Sequence, residues 1–134
     1  MNYKKHREEF QEKVNNFPLI WAFSEKQLLE GMEKMGWKDK SELCSIEAGG
    51  VIKKSDLAEW KKLLKDDYDE IKNYLKTDDE YLESAIRYHI INEECCYTGN
   101  FDVVIETLGI SMKDEREKRI FLKVKSELAK KQED

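Results

Sequence analysis

The stretch Phe17-Pro18-Leu19-Ile20-Trp21-Ala22-Phe23-Ser24 limits what this chain can fold into more than any other. It is the one long uninterrupted apolar run in a sequence of which 40% is charged. It opens after a proline, is rich in aromatic and branched side chains, is too short for a core helix, and closes on a helix-capping serine. Residues 19–23 therefore read as a β-strand buried on both faces. Amphipathic helices on either side need such a floor to cover. The expected class is α+β: a small antiparallel sheet of about three strands (19–23, 43–47, 50–54) covered by about six helices.

Local signals place the other elements. Asn2 caps a first helix that reaches about Asn16, where Pro18 disfavours continuation. Ser24 and Gln27 form a capping box for a helix carrying Leu28, Leu29, Met32 and Met35 on one face and ending at Gly36. Leu43–Ile46 and Val51–Ile52 flank Ala48-Gly49-Gly50, the pattern of a hairpin whose turn needs glycine at positive φ. Asp56 with Glu59 opens a long helix with Leu57, Trp60, Leu64, Ile71 and Leu75 inward. Thr77 with Glu80 opens another that runs to about Cys96, with Leu82, Ile86 and Ile90 inside. A short helix from Phe101 to Leu108 ends at Gly109 with Ile110 folding back. Ser111 caps a last helix with Ile120, Phe121, Val124 and Leu128 inward.

With 134 residues, one proline and six glycines, the chain reads as a single globular domain, 1–134, without linker or repeat. The charged start has no apolar leader segment, and no run approaches the roughly 20 apolar residues of a membrane span. A cytoplasmic protein of a bacterial host cell, with no membrane partner, is the expectation. Three cysteines, two of them adjacent (Cys95 and Cys96), cannot make an ordinary disulfide framework and read as reduced thiols.

Few residues suggest chemistry. His89, Glu93 and Cys96 stand at i, i+4 and i+7 on one expected helix, and all three types ligate metals. No further ligand is fixed by spacing, since His6 pairs with nothing in the pattern. A core histidine beside a buried thiol is the simpler reading, so no metal, cofactor or catalytic residue is expected. A small metal-dependent or hydrolytic enzyme centred on these three is the alternative. The cysteines lie away from helix N-termini, where a thiolate would be stabilised. Ala48-Gly49-Gly50 could nest an anion, but no lysine-serine pair follows, so a turn suffices.

Charge is distributed unevenly. Residues 66–106 hold twelve acids against Lys72, Lys76 and Arg87, a local charge of −9 in a chain of net −5. The excess bases lie in the last helix, at Lys113, Arg116, Lys118, Arg119, Lys123 and Lys125, interspersed with acids. An acidic lobe drawn from Asp66, Asp67, Asp69, Glu70, Asp78, Asp79, Glu93, Glu94, Asp102 and Glu106 would repel nucleic acid and attract a basic protein surface. A homodimer is a further expectation, suggested by the apolar residues Trp37 and Trp60.

The segments Lys13–Ser24, Leu29–Gly36 and Ser45–Gly50 resemble a family of small uncharacterised proteins of phages and mobile elements in gut-type bacteria. Phe101–Gly109 is similar to that family's C-terminal half. The shared motifs are structural: a strand, two helix stops and a glycine turn. Some members of such families resemble anti-CRISPR proteins that inhibit type II Cas nucleases. The resemblance implies a phage-borne, non-enzymatic inhibitor that binds a host protein, such as a Cas nuclease, without touching nucleic acid itself. It carries no binding residue with it.

Overall fold

A computed structural model describes residues 1–133, with side chains through Lys131. The class is α+β, with seven α-helices and one three-stranded sheet among the described residues. The chain divides into two compact units. One is Glu9–Tyr68; the other joins Met1–Glu8 to the chain from Asp69 onward.

The Glu9–Tyr68 unit holds the sheet. Its strands β1 (Ile20–Trp21), β2 (Leu43–Ser45) and β3 (Gly50–Lys53) are antiparallel in the order β1-β3-β2. Ile20 lies opposite Val51, and Cys44 opposite Ile52. Because side chains alternate along a strand, the sheet has two apolar faces. One face packs Ile20, Val51 and Leu43 against Met32 and Leu28 of α2 (Glu25–Met35) and against Trp37. The other packs Ile52, Cys44 and Leu19 against Val14 of α1 (Tyr3–Asn15) and Trp60 of α3 (Leu57–Thr77). Ile52, in the central strand, is wholly buried.

The sheet corrects the sequence reading in one respect. The expected strand 19–23 is only two residues long and lies at an edge, because β3 takes the centre by pairing on both sides. Trp21 is 49% and Phe23 77% exposed, so the run is not buried on both faces. Leu29, Met35 and Leu64 are also exposed, whereas Trp37 and Trp60, the apolar residues that suggested a dimer, are buried. The hairpin stands, but its turn puts Ala48 (φ 61) and Gly49 at positive φ, not Gly50.

Capping follows the expected pattern at α2. The Ser24 side chain accepts from the Gln27 amide, Gln27 Oε1 accepts from the Phe23 amide at 2.8 Å, and Gly36 closes the helix in the left-handed region. Gly31 has a different role. A Cβ there would stand 2.4 Å from Ile20 Cγ2, so α2 approaches β1 across a bare backbone.

The other unit is helical. The start of α1 and the end of α3 join α4 (Asp79–Asn92), α5 (Cys95–Thr98), α6 (Asp102–Leu108) and α7 (Glu115–Glu133). Its core sets Leu82, Ile86 and Ile90 of α4 against Ile120, Phe121, Val124 and Leu128 of α7, with Cys95 and Val104 between. Two cap assignments move. Asp78, not Thr77, caps α4 by accepting the Tyr81 amide at 3.0 Å, while Thr77 donates back to Asn73 O. Asp114, not Ser111, caps α7 through the Glu117 amide. In each case a carboxylate, adjoining Thr77 at α4 and three residues after Ser111 at α7, takes the cap, and a carboxylate gains more from the helix dipole.

The long helix expected to reach Cys96 stops at Asn92. Glu94 sits at φ 52, and α5 starts afresh after it. A non-glycine residue seldom takes this conformation, so no residue type announced the break.

Candidate functional site

Two polar networks inside the helical unit centre on histidines. His6 is 4% exposed. Its Nε2 lies 3.0 Å from a Glu70 carboxylate oxygen and its Nδ1 2.7 Å from the Tyr81 hydroxyl. A carboxylate can only accept, so Nε2 donates to Glu70; with the ring in that neutral tautomer, Nδ1 accepts the Tyr81 proton. Tyr74 stacks on Tyr81 and meets His6 edge-on. Tyr81 is fully buried, which leaves its hydroxyl out of a solute's reach. Spacing could not have found this trio, because its members lie 64 and 75 residues from His6.

His89 is the second centre. Its Nε2 lies 3.0 Å from the Tyr3 hydroxyl, and its Nδ1 is buried with no hydrogen-bond partner among the described residues. Burial holds its pKa below the ordinary 6.5, against the smaller upward pull of Glu93. The consequence has a definite sign. The unfolded chain takes up this proton first, so the contribution is intact above pH 6.5 and is lost as pH falls from there toward the lowered native value. Urea unfolding at about pH 7.5 and pH 5.5 should show a smaller acid-induced loss of stability for His89→Gln than for the parent. Equal losses would remove His89 as a contributor.

The His89, Glu93 and Cys96 set does not come together. The only group of three ligand-type residues within 4.8 Å among the described residues excludes all three. The break at Glu94 is the reason, since Cys96 belongs to α5 and not to the turn after Glu93. Cys95 is buried, and desolvation raises its thiol pKa, as for an inert core cysteine.

The ten acids of the expected lobe separate by their partners. Asp78 receives the Met1 amine at 2.9 Å, which with the Tyr81 amide depresses its pKa. Asp79 pairs with Arg116 and, at 4.0 Å, with Arg119. Glu70 pairs with His6. Nearby, Glu83 takes Arg87 and Lys123, each at 3.2 Å. The bases of α7 thus neutralise much of α4. Asp66 and Asp67 lie in the sheet-containing unit. Asp69, Glu93, Glu94, Asp102 and Glu106 are exposed, with no cation within 4.0 Å among the described residues.

Four of these last acids fall in a stretch without lysine or arginine, from Tyr88 to Met112. That stretch also carries the most exposed apolar side chains of the unit, Ile91 at 60% and Tyr97 at 86%. Between them opens a concavity of about 460 Å³, lined also by Ile90, Leu128, Cys96, Glu94 and Lys131. The helix break places Ile91, on the last turn of α4, beside Tyr97 on α5.

Residues 2–131 match the family model described as a family of unknown function, DUF7659. The chain belongs to that family. No curated protein and no solved structure matches it. The DUF7659 match spans both units, so the edge strand and the Ile91–Tyr97 concavity both lie within the family's extent. No helix among the described residues is long and apolar enough to cross a membrane.

Proposed function

We propose that this protein is a non-enzymatic inhibitor that binds the basic surface of a host protein, with a bacterial defence nuclease of the type II Cas class as the specific target. The observation that carries the binding reading is the α4–α5 corner. Exposed Ile91 and Tyr97 flank a concavity, and Glu93 and Glu94 beside them have no cation within 4.0 Å among the described residues. Apolar anchors in a pocket with charges at the rim are what protein recognition uses: the anchors hold, and the charges steer and select. The surface matches a partner that presents lysine or arginine around an apolar side chain. A nuclease groove that normally receives phosphate has that charge. The target class itself follows from the resemblance to phage and mobile-element proteins.

The test is calorimetric titration of the protein into a purified type II Cas nuclease, with and without guide RNA, beside a plasmid-cleavage assay. Binding should weaken as salt rises from about 0.05 to 0.5 M. Glu93→Lys combined with Glu94→Lys should raise Kd by about tenfold or more. Tyr97→Ala should raise it by about tenfold through a loss of anchoring. Absence of both binding and inhibition would reject the nuclease. Binding indifferent to all three substitutions would reject the corner.

A further inference from the structure

We infer that the free edge of β1 is a self-association site, at which a second copy of this chain adds its own β1 antiparallel to make a continuous six-stranded sheet. The backbone supplies the first reason. Along an antiparallel strand, successive residues turn their N–H and C=O alternately toward the partner strand and away from it. The Ala22 N–H donates to Gly49 O at 2.9 Å, and Ile20 lies opposite Val51, so both residues face β3. Trp21, between them, turns its N–H and C=O to the other edge. Among the described residues β1 pairs with β3 alone. The next amide of the same sense, that of Phe23, is already held by Gln27 Oε1. The open edge is therefore short and centred on Trp21.

Such an edge is self-complementary. A two-fold axis through Trp21 would let the two copies exchange both Trp21 N–H···O=C bonds, and would cover an indole that is 49% exposed. The strand carries no lysine or inward-pointing charge of the kind that guards edges against pairing.

The flanking helix supplies the second reason. A shallow groove of about 400 Å³ runs between β1 and α2, with Trp21 on one bank and Gln27, Glu30, Lys34 and Met35 on the other. Glu30 and Lys34 are exposed and have no ion pair among the described residues. Under a two-fold axis the partner's α2 runs antiparallel, so each Glu30 faces the partner's Lys34 and each Lys34 the partner's Glu30. A pair of opposite charges one turn apart is the simplest pattern that matches its own dyad copy. This charge match favours a second copy over an unrelated extended peptide.

Sedimentation equilibrium on the full chain, from about 5 to 500 μM, tests the inference against the monomer mass of 16.0 kDa. The expected result is a monomer–dimer equilibrium with the Trp21 amide slowed in hydrogen exchange as concentration rises. Trp21→Pro removes the outward N–H without touching the ladder to β3 and should raise the dissociation constant at least tenfold. Glu30→Lys alone and Lys34→Glu alone should each weaken the dimer, and the two together should restore it. Should Trp21→Pro fail to fold, Trp21→Lys and the charge pair decide. A chain that stays monomeric at the highest concentration overturns the inference, and so does a dimer insensitive to both sets of substitutions. An edge reserved for another protein's segment would give the first of these results. None of the outcomes depends on nuclease binding, which uses the other unit.

Discussion

Replacing His6 with alanine is expected to destabilise the protein by about 3 kcal/mol. The imidazole is buried and links three elements of the helical unit: its own helix α1, Glu70 of α3 and Tyr81 of α4. Alanine removes both hydrogen bonds and leaves a void beneath Tyr74 and Tyr81, whose rings lie about one ring-width from it. The two partners fare differently. Glu70 is half exposed and regains water, whereas the fully buried Tyr81 hydroxyl loses its 2.7 Å neighbour. Most of the cost therefore falls on the tyrosine side and on the cavity. Tyr81→Phe, which deletes the hydroxyl and keeps the ring, should cost only about 1 kcal/mol. Urea unfolding followed by circular dichroism measures both. A His6→Ala penalty no larger than that of Tyr81→Phe would show that the imidazole does not organise the unit.

The second large effect is expected in the sheet-containing unit. Gly31→Val should cost about 2–3 kcal/mol. Its Cβ would meet the Ile20 side chain at 2.4 Å, and Ile20 is buried against Met32 and Trp37. Either α2 lifts from β1 or Ile20 leaves its rotamer, and both expose apolar surface. Gly36, five residues on, is the internal control. Nothing lies within 4 Å of a Cβ there, and only its φ of 72° resists substitution, so Gly36→Ala should cost about 1 kcal/mol. Equal penalties at the two glycines would mean that close helix–strand approach contributes little. Because Gly31 underlies the groove beside β1, Gly31→Val should also weaken self-association, whereas Gly36→Ala should leave it unchanged.

The sequence by itself determined what depends on neighbours in the chain. The Ser24–Gln27 box, the stops at Gly36 and Gly109 and the hairpin around Gly49 are set by contacts between near neighbours in the chain, and the inward stripes of α4 and α7 by the helical period of their apolar residues. So was the fold class, since short apolar runs set among amphipathic helices leave few other solutions. Tertiary structure decided whatever depended on partners far along the chain. The apolar run 19–23 predicts a strand buried on both faces, but which strand is enclosed depends on which one finds two neighbours, and β3 does. His6 was read as unpaired because its partners come from α3 and α4. A count of charge along the chain cannot show that the bases of α7 fold onto the acids of α4, while those around the α4–α5 corner have no cation within 4.0 Å among the described residues. The corner itself arises at Glu94, where a residue with no turn propensity is held in the left-handed region by the packing of Ile90 and Cys95 on either side of it. Local patterns carry the energies of caps and faces. Which face meets which, and which charge meets its opposite, is settled only when the chain closes on itself.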